Sequence, residues 1–557
     1  MLCAGALAPG NAVRASAETA LPLVSWGGAA LIALCYYLSQ SAWLAGLGFW
    51  TLYRPLVGGL LVGLILGDPL RGAQAGATIN LAYLGFIATG GALPSDISLA
   101  GYLGATLVVA GGLEPNAALA LTVPVGLLGY WIYQLRMTLD VIFAHWADGC
   151  AARGDARGVA WCNVWPPQML LFFLSFIPCF IGVYYGPAWL AGILDKIPAR
   201  LLSGLAVVGG MLPALGIALN LRLLWRGANG AYFILAFLLN ALARVPLLTF
   251  GLLAAAWAII QLRPQAAPAA EAATADALDR QHAAEAVPPR PCRLDGRTLW
   301  ASWLNWLFFS HACYNYERMQ GVGLAHALAP ALRRLYPNKE ELAQALQRHL
   351  TYYNAEPNLG AVINGVVLAL EEACAQDRAV SQEAIQAIKV GLMGPVSGLG
   401  DTLIQGTLAP LLLSLGIGLV NEGHVWGGAL YAVWIAALVW GIGALAFWRG
   451  YRGGHLYVTA WLQRGTLQRI LGAAEIVGSS VLGALAALVV HVRTTVTFSV
   501  GQGVFRLQED LLDKLLPQGL PLALILFYVW LLGRVPARWL VLGTCVLGIA
   551  AHLLGLL

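Results

Sequence analysis

The side chains in this sequence best suited to chemistry are a few acids and amides set among glycines and prolines in otherwise apolar stretches. Asp401 is the sharpest case. It is the single charge between Val390 and Val420, a run interrupted by Gly391, Gly394, Pro395, Gly398, Gly400, Gly406 and Pro410. An ionisable group in so apolar a stretch is costly unless it faces a cavity or a partner, and broken backbone at membrane depth is tolerated only where protein or a cavity surrounds it. Asp401 therefore marks a solute site, and its run is expected to be a broken helix rather than a straight span. A second stretch of this kind, Arg54 to Gly104, carries Asp68, Arg71, Gln74, Thr78, Asn80 and Asp96. Its Leu66-Gly67-Asp68-Pro69-Leu70 echoes Leu399-Gly400-Asp401-Thr402-Leu403, the pattern of two broken helices in related halves of a transporter.

The elements that must hold these groups are membrane elements. Of 557 residues, 59% are hydrophobic and 11% charged, against about 25% charged in soluble domains. This predicts an all-α polytopic membrane protein with broken or re-entrant helices. The formal net charge of +5 is small and dispersed, and no basic run alternates with aromatics, so nucleic acid is excluded as a partner. Nine cysteines form no C-x-x-C pair, which argues against a disulfide framework or a metal site. No Gly-rich loop ending in Lys-Ser/Thr, no H-E-x-x-H and no G-x-S-x-G is present. Nucleotide hydrolysis and zinc or serine hydrolase chemistry are excluded, and no cofactor is expected.

One composition break divides the chain. Residues 264–291 are rich in Ala, Pro, Asp and Glu with almost no large apolar residue, which is linker chemistry. It separates a membrane module at 21–263 from a second at 292–557. Residues 1–20 lack a charged start and an apolar core and read as a leader-like tail rather than a signal peptide. In the second module, Arg449, Arg452, Arg464 and Arg469 mark one cytoplasmic loop and Arg534 and Arg538 another, whereas 491–514 balances its charges. The spans 390–420, 424–448, 470–490 and 518–532 then alternate, with 310–389 facing the cytoplasm. Arg222 and Arg226 suggest a further inner loop, followed by two short passes hinged near Arg244-Val245-Pro246. Trp300, Trp303, Trp306 and Phe309 step by three, drifting about 60° each time around a helix, and are expected to form an amphipathic helix in the headgroup layer.

The first module resembles the IIC component, and the second the IID component, of the mannose/fructose/sorbose family of sugar phosphotransferase systems. For IID the matching residues are YNYERMQ (Tyr314 to Gln320), PALRRLYP (Pro330 to Pro337), RHLTYYNAEP (Arg348 to Pro357), LALEE (Leu368 to Glu372) and KVGLMGPVSGLGD (Lys389 to Asp401). For IIC they are RPLVGGLLVGLILGD, GATINLAYLG and the GGALPSD region. The resemblance implies a permease of the bacterial inner membrane with an elevator-type architecture. It would bind a hexose or amino sugar and present it to a phosphorylated IIB protein, with IIA and IIB on other chains, lipid around it and three copies in the assembly. This chain would contribute to phosphotransfer without carrying the phosphohistidine. Sugar hydroxyls are recognised by carboxylates and amides in a dry pocket, where an unpaired partner costs about 1–3 kcal/mol. The resulting candidates for sugar binding are Gln74, Asn80 and Asp96 from the first module and Glu317, Asn354, Asp401 and Gln405 from the second. Glu371 and Glu372 read as solvated or capping charges.

Two positions depart from the family pattern. Asn80 stands where IIC sequences usually have a glutamate, and Ala409 where IID sequences often have an arginine. Loss of an acid removes a possible base, so a regulatory or receptor-like protein, or a facilitator uncoupled from phosphorylation, are the alternatives to a coupled permease.

Overall fold

In the computed structural model, which describes residues 24–44, 46–85, 95–194, 198–225, 229–245, 247–261, 294–377, 380–463, 466–500 and 503–557, the described residues of the first module form ten α-helices. They are α1 (Trp26–Gln40), α2 (Leu47–Trp50), α3 (Pro55–Leu66), α4 (Pro69–Ala82), α5 (Ile97–Val109), α6 (Pro115–Ala152), α7 (Ala156–Leu194), α8 (Ala199–Leu224), α9 (Asn229–Ala243) and α10 (Leu247–Gln261). The second begins with α11 (Gly296–Phe309), α12 (Gly321–Leu335), α13 (Lys339–His349) and α14 (Ala361–Asp377). It continues through α15 (Gln382–Gly400), a π-helical stretch at Asp401–Leu408, α16 (Ala409–Asn421), α17 (Gly427–Gln463) and α18 (Thr466–Val489). A hairpin of β1 (Thr497–Val500) and β2 (Gly503–Arg506) pairs Thr497 with Arg506, and α19 (Asp513–Leu515), α20 (Gly519–Leu531) and α21 (Ala537–Leu553) close the chain. Among the described residues, five helices are long and apolar enough to cross a membrane, or six if the helical stretches Leu507–Leu515 and Gly519–Leu531, bent by 70°, count as one. The tail 1–20, the linker 264–291 and Gly90–Pro94 of the GGALPSD motif lie outside the described residues.

Helices α3 and α4 have 12 and 14 residues, too short to span a bilayer that needs about 20. They fold back on each other as a re-entrant hairpin. Gly67, at φ +92°, ends α3 in the left-handed conformation. Asp68 then caps α4, its carboxylate accepting from Arg71 N at 3.1 Å, with Pro69 in the first turn. Small residues let the two backbones touch, as at other close crossings in membranes: a methyl group on Gly72 would lie 2.5 Å from Gly59 O and 2.6 Å from Gly63 Cα. Alanine in a helix interior normally gains about 0.5–1 kcal/mol over glycine. Gly72→Ala is expected to reverse that sign and lower the unfolding midpoint in detergent, because both obstacles are backbone. Gly391→Ala, whose methyl would meet nothing within 4 Å, should not lower it. Equal midpoints for the two variants would refute the close crossing.

The two modules share one hydrophobic core, in which Leu56, Leu221 and Phe237 of the first are continuous with Trp306, Ile363 and Leu485 of the second. Tyr431 on α17 donates to Trp50 O at 2.9 Å across the boundary. Cross-module contacts agree with one another on sidedness. Arg222, at the end of α8, donates to Leu532 O beside Arg534, so these two stretches, both read as inner, share a side; Arg226 lies outside the described residues. At the opposite end of α8, Ser203 bonds His552, and Thr495 N donates to Leu556 O, which joins the charge-balanced 491–514 region to the far ends of α8 and α21. Where two short passes were expected the chain forms two short apolar helices, α9 and α10, separated by a break at Arg244, where φ is +50°.

Two elements differ from expectation. The run around Asp401 is not unwound: α15, the π stretch and α16 form a continuous helix over Gln382–Asn421. Pro410 has no N–H for the carbonyl four residues back and would crowd it. The helix takes up that mismatch by widening to π geometry, with Thr407 Oγ1 donating to Thr402 O five residues earlier at 2.9 Å. The echoed Leu-Gly-Asp motifs thus sit in unlike structures, a hairpin turn and a π-widened span. The tryptophan row of α11 is also not a surface band. Its spiral leaves Trp300 half exposed but buries Trp303 and Trp306, and Trp306 Nε1 donates to Pro357 O at 2.7 Å.

Candidate functional site

The modules enclose a cavity of about 200 Å³. From the first module, the end of α1, the turn after it, α2 and the middle of α6 contribute Gln40, Phe49, Tyr53, Tyr133 and Arg136; from the second, Trp306, His311, Tyr314, Asn354, Glu356, Asp401 and Gln405 face it. Aromatic rings with a few convergent polar groups are the ordinary lining of a small-molecule site.

Asp401 opens the π stretch, a type of helix defect frequent at functional sites. Its Oδ1 accepts from Gln405 Nε2 at 2.6 Å, and its Oδ2 has no hydrogen-bond partner among the described residues. Asn354 is held from two sides, its Oδ1 accepting from Tyr314 Oη at 3.2 Å and its backbone N–H directed at Met393 Sδ at 3.4 Å. Its amide nitrogen is left to donate. Glu356 is a structural carboxylate: it accepts from Asn358 Nδ2 at 2.7 Å and from Leu359 N at 2.6 Å, bracing the turn before α14. It fits only because residue 400 is glycine, since a methyl there would lie 2.7 Å from Glu356 Oε2.

Three of the seven sequence candidates, Asn354, Asp401 and Gln405, line the cavity, and four do not. Asn80 is buried between the arms of the hairpin, its Oδ1 accepting from Leu56 N at 3.3 Å. Gln74 is half-buried on α4, where its carbonyl accepts from Thr78 Oγ1 at 3.0 Å. Glu317 lies in an ion cluster outside the cavity, 3.0 Å from both His145 Nε2 and Arg318 Nη2, and Arg318 reaches Asp148 Oδ2 at 2.7 Å. Such partly exposed pairs contribute little stability. Asp96 caps α5, accepting from Ser98 N and Leu99 N at 3.0 Å, and stands directly behind Gln40.

Sequence reasoning missed Arg136, Gln40 and His311. Arg136 had a signal: with Asp140 it makes an i, i+4 pair inside an apolar run, and the structure buries both, Nε to Oδ2 3.4 Å. Arg136 Nη2 donates to His311 O and Ala312 O, each at 3.1 Å, so one cation ties α6 to the wall formed by the second module. His311 lines the cavity, its ring held between Ser310 Oγ and Gln320 Nε2, each 3.0 Å away. Glu371 and Glu372 are not solvated. Glu371 is fully buried under Arg348, His349 and Tyr336, and Glu372 accepts from Tyr451 Oη at 2.6 Å. The acid pair in Leu368–Glu372 was read as solvated or capping charges, but both members meet donors from packed neighbours.

Among the described residues no group of acids, histidines and cysteines could hold a metal ion.

Residues 293–557 match the family described as the PTS system mannose/fructose/sorbose family IID component, and residues 26–260 the PTS system sorbose-specific IIC component. The mannose-specific EIID component of Escherichia coli K12 is 37% identical over 256 residues, 44% of this chain and 88% of that protein. The sorbose-specific EIID component of Klebsiella pneumoniae is 34% identical over 252 residues, 44% and 92% of the two chains. To the first module, the mannose-specific EIIC component of Escherichia coli K12 is 28% identical over 215 residues, 38% of this chain and 81% of that one. A chain that carries both patterns in sequence, folded around one intermodular cavity, belongs to the mannose/fructose/sorbose family of phosphotransferase-system permeases, as a IIC component and a IID component in a single bacterial inner-membrane polypeptide.

Proposed function

We propose that the cavity between the modules is where this permease holds its sugar, a hexose or amino sugar, before a separate phospho-IIB protein phosphorylates it. The observation that carries the reading is Asp401, whose one oxygen is held by Gln405 while the other is open to the cavity. A hydroxyl donating to that oxygen while accepting from Asn354 Nδ2 would satisfy both groups, and the aromatic walls would cover the apolar faces of the ring. Asp401 is also the carboxylate able to take the hydroxyl proton as the phosphoryl group arrives. Glu356, saturated by its own turn, fixes the loop that presents Asn354. Translocation then proceeds by an elevator-like movement of the sugar-holding core, in an assembly of three copies surrounded by lipid.

The test is uptake into vesicles holding the purified full chain. With phospho-IIB inside, labelled sugar should accumulate as sugar phosphate; without it, no sugar phosphate should form. Absence of product with every hexose and amino sugar tried would overturn the coupled reading, and saturable flux that ignores phospho-IIB would replace it with a facilitator.

A further inference from the structure

The cavity wall contributed by α1 ends in Gln40, whose amide nitrogen lies 3.0 Å from Asp96 Oδ2. Asp96 is itself unavailable to a ligand. It is 3% exposed, its Oδ1 caps α5 through Ser98 N and Leu99 N, and its Oδ2 takes Tyr36 Oη at 2.6 Å as well as Gln40. The carboxylate also has no room to move, because a methyl group on the neighbouring Gly129 would lie 2.5 Å from its Cβ.

An ionised carboxylate accepts hydrogen bonds and donates none, so the group of Gln40 that faces it must be the NH₂. The amide oxygen of Gln40, with no hydrogen-bond partner among the described residues, is thereby left to the cavity. From this geometry we infer that Asp96 is a positioning residue: it acts through Gln40, fixing which end of that amide meets the sugar, so that the first module offers a hydroxyl acceptor across the cavity from the donor Asn354. The inference rests on the sugar occupying this cavity. It gives the buried acid a role without ligand contact and makes Gln40 a determinant of which hydroxyl pattern is accepted. A freely rotating amide would accept and donate alike, whereas a held one discriminates against sugars lacking a hydroxyl at that point, because its oxygen would be left unpaired.

The experiment is a double-mutant cycle on sugar affinity, measured by calorimetry with purified full-length chain and a panel of hexoses and their deoxy analogues. Gln40→Ala should weaken the best hexose about tenfold and narrow its advantage over one deoxy analogue, as loss of one hydrogen bond of about 1.4 kcal/mol requires. Asp96→Asn, which puts an amide where Oδ2 was and turns Gln40 over, should weaken binding by a similar factor in the parent chain and by none in the Gln40→Ala background. A factor that persists in that background would make Asp96 a purely structural cap and overturn the inference. If neither Gln40→Ala nor Asp401→Asn alters affinity, the cavity reading itself falls. If Asp401→Asn weakens binding and the cycle is additive, the cavity stands and only the role of Asp96 is lost.

Discussion

Asp401→Asn is expected to weaken sugar binding by about ten- to a hundredfold while leaving the protein folded, the equivalent of one charge-assisted hydrogen bond of about 1.5–3 kcal/mol. The substitution changes no volume and removes no apolar contact. What it changes is the pairing at Oδ1 and Oδ2. In the parent, Gln405 donates to Oδ1 at 2.6 Å, and the other oxygen accepts from the ligand. In the variant the asparagine oxygen can satisfy Gln405 only by turning its own NH₂ to the cavity, so an acceptor becomes a donor. The alternative rotamer offers the ligand an oxygen but sets NH₂ against NH₂ at Gln405. Either arrangement leaves one hydrogen bond unmade in a largely dry site, and unmade bonds cost more there than in water. Stability should change little, because Asp401 is only half-buried and its helix is held by the π register, which depends on Pro410. Calorimetry of sugar binding and a thermal melt of the same preparation separate the two effects. Unchanged affinity would remove Asp401 from the site, and a large drop in melting temperature would make its role structural.

How far the sequence could be read depended on whether a feature was local. That Asp401 lines a cavity was legible because one charge in thirty apolar residues has few physical explanations, whereas Asn354 was singled out only through the resemblance carried by Arg348 to Pro357. The α3–α4 hairpin was legible from Gly67-Asp68-Pro69, a stop, a cap and a start in consecutive positions. The π stretch was not. Prolines and glycines announce a fault in the helical ladder, but whether the chain unwinds or widens depends on neighbours such as Glu356, which packs against Gly400 from 44 positions earlier. Asp96 shows the same limit. A carboxylate in Pro-Ser-Asp can cap a helix or bind a ligand, and only the arrival of Tyr36 and Gln40 from about sixty residues away decides it. Arg136 was passed over because acids and amides were sought as sugar ligands, while its partners are carbonyls of the other module.

Removing the carboxylate of Glu371 should be the most destabilising single change outside the membrane-spanning helices, costing about 3–5 kcal/mol. Glu371 sits on α14 with no exposed surface and gathers four hydrogen bonds. Arg348 Nε and Nη2 and His349 Nε2 each approach to 2.8 Å, and Tyr336 Oη to 2.7 Å. Lys389 Nζ, also fully buried, bonds Arg348 O at 3.2 Å and Thr351 Oγ1 at 3.1 Å. Glu371→Ala would therefore leave Arg348 and Lys389 as buried cations with no anion among these contacts, and would empty the space between α12, α13 and α14. The pH dependence follows from two depressed groups. Burial pushes the Glu371 carboxyl up, but the hydrogen bond from His349 and the Arg348 guanidinium outweigh it and hold the group down at about 2, below its ordinary 4.5. Desolvation holds the His349 imidazole down at about 4, below its ordinary 6.5, against the pull of Glu371. In each case the unfolded chain takes up a proton before the folded chain does, so acid favours unfolding. The His349 contribution is complete above pH 6.5 and lost as pH falls to about 4; the Glu371 contribution is complete above 4.5 and lost toward 2. Thermal melts in detergent should show the parent losing stability from pH 6.5 downward, with a second loss, of one further proton, below 4.5. Glu371→Ala should begin much lower at pH 7 and lack that second loss. A variant that melts within about 1 kcal/mol of the parent at neutral pH, or that keeps the full loss below 4.5, would show that the ion cluster is not what joins α13 to α14.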